Sequence, residues 1–276
     1  MFSGQKIPFI KMQGLSNYFI IVYEHDLPNS WDTSDIIKIA DRHMGIGCDQ
    51  FILLSESKTA DIFTRIYNDD GSEVQACGNA TRCIAKLLNK DECVIETVAG
   101  LLKATMNNGM ISVNMGQPKT DWQDIPLSKN YAWNDLPLFN DGLPKGRVVN
   151  VGNPHIVFIV DDVTQIDLKK IGSFVENHSL FPEKTNVEFV QIIDNKNVRM
   201  RVWERGVGVT MACGSGACAV GHALFKDKIV SENTVNVHLD GGVLKISKKE
   251  DSIIMTGEAS FVCEGSYFYE PQEKTA

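Results

Sequence analysis

Residues 65–83 read RIYNDDGSEVQACGNATRC, and residues 201–219 read RVWERGVGVTMACGSGACA. Laid over one another at an offset of 136 residues, the two stretches pair Arg65 with Arg201, Tyr67 with Trp203, Asn68 with Glu204 and Cys77 with Cys213. The same offset places Asn17 of GLSN on Asn153 of GNPH and Gln50 of CDQ on Asn186 of KTN. Past the cysteines, Ile84 meets Val220 and Leu88 meets Leu224, after which AGLLK (99–103) meets GGVLK (241–245) at an offset of 142. A small insertion in the second half accounts for that slip. Self-similarity over so long a period points to two duplicated domains rather than an array of short repeats. The cleft between such domains is a candidate site.

Around the echo the local structure is legible. FTRIY and VRMRVWE alternate polar and apolar residues as strands do, and NDDG and ERGVG carry turn residues. After the cysteines, apolar residues fall at Ala80, Ile84, Leu87 and Leu88, and at Ala217, Val220 and Leu224, which is helical spacing. Each cysteine is thereby placed at a helix N-terminus, with Gly78 or Gly214 beside it to let a backbone approach closely. VIETVAGLLKA, GMISVNM, TVNVHL and GVLKIS predict short strands and hairpins. The stretch 117–147 holds four of the nine prolines and predicts an irregular connection between the halves, with a boundary near residue 117.

The chain's 276 residues are enough for two domains that each bury a core, and 43% hydrophobic with 22% charged residues is an ordinary globular composition. A net charge of -8 argues against a nucleic-acid partner, which needs a basic face, and leaves a small-molecule substrate. The apolar runs, such as YFIIVY and HIVFIV, are strand-length, so no membrane partner is expected, and the start MFSGQKIPFIK lacks the apolar core of a signal peptide. Seven cysteines, an odd number without paired C-x-x-C sets, fit free thiols in the cytoplasm and no structural zinc. Neither a P-loop nor a strand-anchored G-x-G-x-x-G is present, so no nucleotide site is expected.

A cysteine at a helix N-terminus lies among unpaired N–H groups that favour a thiolate and can also hold a substrate carboxylate. Two such cysteines facing one carbon can remove a proton from one side and supply one from the other, which inverts a stereocentre. The carbanion beside a carboxylate would spread its charge onto oxygens held by the helix termini, and the scheme needs no organic cofactor and no metal.

The strings GLSNYFI, GIGCDQ, YNDDGSEVQACGNATRC, GNPHIVFIV, TNVEFV and VWERGVGVTMACGSGACA together resemble the diaminopimelate epimerase family. What the resemblance implies is a pyridoxal-independent enzyme that interconverts LL- and meso-diaminopimelate for lysine and peptidoglycan synthesis. It implies an α/β (α+β) fold of two pseudo-symmetric domains, each a curled, mostly antiparallel sheet around a central helix, in a homodimer. The expected domains are 1–117, joined by a C-terminal tail 263–276, and 118–262. By the same resemblance Cys77 and Cys213 match the catalytic thiols, and Gly78, Asn79, Gly214 and Ser215 match donors to the reacting carboxylate. Asn17, Gln50, Asn68, Asn153 and Asn186 match a ring of amide ligands, and Glu204 with Arg205 a charged pair. His155 matches a histidine that tunes the thiols, a role shared with Glu204. Amides suit a zwitterionic substrate because they both donate and accept, and Arg205 can grip a carboxylate with two bonds. Tyr18 stands where the family usually has an acid, Ser16 where it has a glycine, and Val209 where it has a glutamate.

Single cysteines are usually small buried hydrophobes, and Cys48, Cys83, Cys93, Cys218 and Cys263 are expected to be so. His25, His43, His178, His222 and His238 are expected to be structural. Two other readings stand beside the epimerase: a proline or hydroxyproline racemase of the same fold, and a redox sensor in which the two thiols form a disulfide.

Overall fold

The computed structural model describes residues 4–138, 142–230 and 233–270. The chain divides into two compact units, Met1–Ile111 with Glu258–Ala276, and Ser112–Gly257. The divisions fall at 111/112 and 257/258, against the 117/118 and 262/263 expected from sequence; residues 271–276 of the expected tail lie outside the described residues.

The first unit opens with strands β1 (Gln5–Gly14) and β2 (Asn17–Tyr23), joined by the two-residue turn Leu15–Ser16. Helix α1 (Thr33–Ala40), capped by the Asp32 side chain on Ser34 N, leads into β3 (Gln50–Ser55), β4 (Ile62–Asn68) and β5 (Glu73–Val74). Helix α2 (Gly78–Leu88) precedes the hairpin β6 (Glu92–Thr97) and β7 (Gly100–Asn107). The last strand, β17 (Ser260–Tyr269), pairs antiparallel with β1 from Gln5 to Gln13, with one register shift between Lys11 and Met12. Parallel pairings are β2 with β3 and β4 with β6; β1–β2, β3–β4 and β6–β7 run antiparallel. Ile20, Val22, Ile36, Phe51 and Tyr269 lie in one buried cluster, each apolar side chain contributing about 1.5–3 kcal/mol.

In the second unit β8 (Met110–Asn114), on which the division falls, pairs with β16 (Ser252–Gly257). Between them come β9 (Gly146–Asn150), β10 (Pro154–Val160), α3 (Leu168–Glu176), β11 (Asn186–Ile192), β12 (Asn197–Glu204), β13 (Gly208–Thr210), α4 (Gly214–Lys226), β14 (Thr234–Leu239) and β15 (Gly242–Lys249). Again two pairings run parallel, β10 with β11 and β12 with β14.

The pairing registers carry the duplication into three dimensions. Phe19 lies opposite Gln50 in the first unit, and His155, 136 residues on, lies opposite Asn186 in the second. Ile62 lies opposite Ile95 and Val198 opposite Val237, so the first strand of that pair keeps the offset of 136 and the second takes 142. Leu88 ends α2, whereas its counterpart Leu224 is followed by two more helical residues, so part of the insertion lengthens α4. The rest falls in the connection to β14, which includes residues outside the described set.

Each echoed helix packs against strands of its own unit. Helix α2 packs on β1, β6 and β7, and α4 on β9, β10, β11, β14, β15 and β16. Helix α4 is apolar nearly all round, as a helix enclosed by strands must be. Gly221 makes its closest approach possible: a Cβ there would lie 2.4 Å from Ile246 Cγ2 on β15.

The proline-containing stretch is a correction to the sequence expectation. It is irregular over 117–138, yet it is more than a connection, because Ile125, Leu127, Leu136 and Leu138 are buried with Phe158 and Phe189 in the core of the second unit. Residues 139–141 lie outside the described residues. Isolated apolar residues amid turn formers carry no periodicity, so this packing has no local signature. Cys263 is also corrected: it is exposed on β17, whereas Cys48, Cys83, Cys93 and Cys218 are buried as expected.

Candidate active site

Both echoed cysteines are the N-caps of their helices. Cys77 caps α2 at φ -144° and ψ 116°, and Cys213 caps α4 at φ -127° and ψ 111°, extended backbone that turns the chain into the helix. Ser, Thr, Asp and Asn ordinarily hold such positions because an oxygen bonds the first-turn N–H groups. Sulfur caps weakly, and Cys213 Sγ accepts only a long bond, 3.4 Å from Gly216 N. The first intrahelical bonds are Thr81 N to Cys77 O at 2.9 Å and Ala217 N to Cys213 O at 3.0 Å. Helix geometry then leaves the amides of Gly78 and Asn79, and of Gly214 and Ser215, directed at whatever lies beyond each cap, the arrangement an oxyanion requires.

The two sulfurs sit in different surroundings. Cys77 is partly exposed, and α2 beneath it buries Arg82 completely. Arg82 Nη2 donates to Asn79 Oδ1 at 3.0 Å and its Nε to the Glu258 carbonyl at 3.2 Å, which fixes the Asn79 amide. Cys213 is 4% exposed. Its Sγ lies 3.5 Å from Ser215 Oγ, and the Glu204 carboxylate, which accepts a hydrogen bond from Thr210 Oγ1, lies close enough to act on it. Burial pushes the Cys213 thiol well above its ordinary value, and the nearby Glu204 and Glu188 push it further. A helix N-terminus alone predicts a lowered thiol; for Cys213, burial and two carboxylates outweigh it. Glu204 and Glu188 are themselves raised, in both cases chiefly by burial.

The remaining polar residues separate by unit. In the first, Gln50 on β3 faces Asn68 on β4, with Gln50 Nε2 donating to Asn68 Oδ1 at 3.1 Å and Asn68 Nδ2 to Ser72 Oγ at 3.0 Å. Asn17 Oδ1 and Gln50 Oε1 are buried acceptors with no hydrogen-bond partner among the described residues. Unfilled acceptors at such depth are uncommon, and an ammonium group would satisfy them. In the second unit, Asn153 Oδ1 lies 2.8 Å from His155 Nε2, and His155 Nδ1 lies 2.7 Å from Glu188 Oε1. Asn186 is spent on the backbone: its Nδ2 donates to the Pro154 carbonyl at 2.8 Å and its Oδ1 accepts from Arg205 N at 2.9 Å. It therefore locks β10 to the turn that carries Arg205. That arginine is exposed, with Nη1 on the Glu183 carbonyl at 3.2 Å.

A thiol N-cap repeated in register, each over a helix wrapped by strands, is the feature that comparison with known proteins can decide. The model of the family described as diaminopimelate epimerase matches residues 9–120 and 147–262. The chain belongs to the diaminopimelate epimerase family. A diaminopimelate epimerase of Sphingopyxis alaskensis is 45% identical over 258 residues, 93% of this chain and 96% of that protein. One from Acinetobacter baumannii is 42% identical over 271 residues, 94% of this chain and 96% of that protein. Among solved structures, a phenazine biosynthesis PhzF-family protein of Enterococcus faecalis aligns with a TM-score of 0.71 at 14% identity, covering 96% of this chain and 100% of its own. A hydroxyproline epimerase of Agrobacterium vitis aligns at 0.68 and 13% identity, covering 97% of this chain and 94% of its own. These structures establish a shared fold, and the family assignment favours the diaminopimelate reading over the proline-type alternative.

Three residues near these groups, Glu188, Thr210 and Gly216, lie within the motif strings but outside the positions that match site residues. Arg82, inside CGNATRC, likewise carries no sequence signal for its bond to Asn79. A carboxylate in β11, a strand buried on both faces, was the available signal for Glu188. No helix among the described residues is long and apolar enough to cross a membrane.

Proposed function

We propose that this chain is an isomerase that interconverts LL- and meso-diaminopimelate, with Cys77 and Cys213 as acid and base on opposite faces of the α-carbon. The observation that carries the reading is the duplicated cysteine N-cap in a chain 45% identical to a named diaminopimelate epimerase. One sulfur takes the α-proton as a thiolate while the other delivers a proton as a thiol, so each turnover exchanges their roles. Amides of Gly78, Asn79, Gly214 and Ser215 bind the α-carboxylate and stabilise the charge it gains in the carbanion. Asn17 and Gln50 accept from an ammonium group, Asn68 and Asn79 hold the amide row in place, and Arg205 takes the distal carboxylate. Asn153 and Asn186 set the backbone and imidazole around Cys213, while His155 and Glu204 govern when that thiol ionises. No organic cofactor enters the scheme. In the cell the protein would work in the cytoplasm as a homodimer, supplying lysine and peptidoglycan synthesis.

A substrate panel tests this. Reduced protein without pyridoxal phosphate is offered LL-diaminopimelate, L-proline and trans-4-hydroxy-L-proline, and the stereoisomers are separated by chiral chromatography. Turnover of diaminopimelate alone supports the proposal; turnover of a proline in its place overturns it.

A further inference from the structure

Where the second unit carries His155, Glu188 and Gly216, the first carries Phe19, Ile52 and Ala80 at the same offset of 136. The strand registers match at these places, and all six residues are buried. A half that closes over Phe19 and Ile52 shows that the fold does not need a carboxyl and an imidazole there. Burying that pair costs free energy that an apolar pair does not.

The pair is built toward Cys213. Glu188 is 0% exposed and holds His155 Nδ1 through Oε1 at 2.7 Å, while its Oε2 has no hydrogen-bond partner among the described residues. A Cβ on Gly216 would lie 2.8 Å from Glu188 Oε1 and 3.3 Å from Cys213 Sγ, so carboxyl and sulfur border the same small space. Position 216 carries no side chain where Ala80 does, because Glu188 fills that room. Asn153 Oδ1 accepts from His155 Nε2, which leaves one proton to be shared between His155 Nδ1 and Glu188. Whether the proton sits on nitrogen or oxygen, the pair as a whole is neutral, and an unpartnered Oε2 favours the protonated carboxyl.

We propose that Glu188 is a positioning residue for Cys213: it locks His155 and, through one shared proton, keeps the wall behind the Cys213 sulfur free of net charge. The Glu188 side then adds no second standing anion to the Glu204 carboxyl already beside the sulfur, which can release and regain its proton. The assignment rests on the two-thiol reading above and adds a sidedness to it, since the Cys77 half carries Phe19 and Ile52 at the matching positions.

The test uses a diaminopimelate analogue with fluorine on the β-carbon, supplied in both α-configurations. One base suffices for its elimination: the α-proton passes to a thiolate, the C–H electrons form the C=C bond, and fluoride leaves. Cys77→Ala leaves Cys213 as the only base, and Cys213→Ala leaves Cys77. Adding Glu188→Gln is expected to lower fluoride release at least ten-fold more in the Cys77→Ala protein than in the Cys213→Ala protein. The far-downfield proton resonance of the His155–Glu188 bond is expected to vanish with it. A second variant, His155→Phe with Glu188→Ile, copies the first unit; it is expected to unfold at a temperature no lower than its parent and to show the same one-sided loss. Equal losses in both backgrounds overturn the assignment and leave the two-thiol reading standing. If neither single-thiol protein releases fluoride, the two-thiol reading falls and the assignment falls with it.

Discussion

Replacing Gly216 with alanine puts one methyl group into the space that Glu188 and Cys213 share. The new Cβ would start 2.8 Å from Glu188 Oε1, while carbon–oxygen contacts settle at about 3.3–3.6 Å, so the carboxyl must retreat by roughly half an ångström. It is the far end of a side chain, yet it is fully buried and tied to His155, so the displacement passes to the imidazole. Two effects on stability oppose each other. Alanine is better than glycine inside a helix by about 1 kcal/mol, and overpacking a buried site costs about 1–3 kcal/mol. The net loss is at most about 2 kcal/mol, or a few degrees in Tm. Turnover suffers more, because a misplacement of about 1 Å at a reacting centre costs on the order of 100-fold, so half of that implies about ten-fold. Chiral chromatography should show kcat about ten-fold down with KM within about two-fold, beside a modest Tm shift in calorimetry. Glu188→Ile added to Gly216→Ala should restore Tm without restoring kcat. Full activity in Gly216→Ala with unchanged Tm would refute the reasoning, because the carboxyl would then not be held where its contacts place it.

Ser16 has φ 63° and Leu15 φ 58°, the left-handed pair of a type I′ hairpin turn, where glycine is unstrained; Ser16→Gly should raise stability by about 1 kcal/mol, read as a rise in Tm of about 2 °C. Asn17→Ala removes a buried acceptor that has no partner among the described residues, so kcat/KM should fall by about 10–100-fold while Tm holds or rises, and a parallel loss of both would contradict the binding role. Burial pushes the Cys48 and Cys83 thiols from the ordinary 9.0 up to about 12, so the folded protein holds protons that the unfolded chain releases above pH 9. Folded pKa values raised in this way give stability that is present below pH 9 and lost as pH rises toward 12. Urea unfolding at pH 9 and pH 10.5 should show a loss of about 2 kcal/mol for each of these thiols, largely abolished in Cys48→Ala with Cys83→Ala; a flat profile would count against their burial.

The duplication was legible because it is written in identities at a constant offset, and the strand registers then had to follow it. Cysteine as an N-cap was legible too, from a strand entering, a glycine following and helical spacing beyond. What escaped the sequence depends on contacts between distant strands. Glu188 stands as a lone carboxylate among Val187, Phe189 and Val190, which marks it as unusual, but its meaning appears only when β11 lies beside β10. Asn186 keeps the register of an amide ligand, yet both ends of its amide are used by backbone, which no sequence spacing reveals. The raised Cys213 thiol likewise follows from depth and from two carboxylates brought in by separate strands, terms that a helix N-terminus by itself does not contain.

The central claim is that one thiol takes a proton from the α-carbon while the other gives it one. The direct measurement is NMR of reduced protein with LL-diaminopimelate in D2O, without pyridoxal phosphate, at early times. Two bases predict meso product that carries deuterium at the inverted carbon while the remaining LL substrate is still protonated, and no epimerisation by Cys77→Ala or Cys213→Ala. Meso product that retains the original proton, or a single-thiol variant that epimerises normally, would contradict the account.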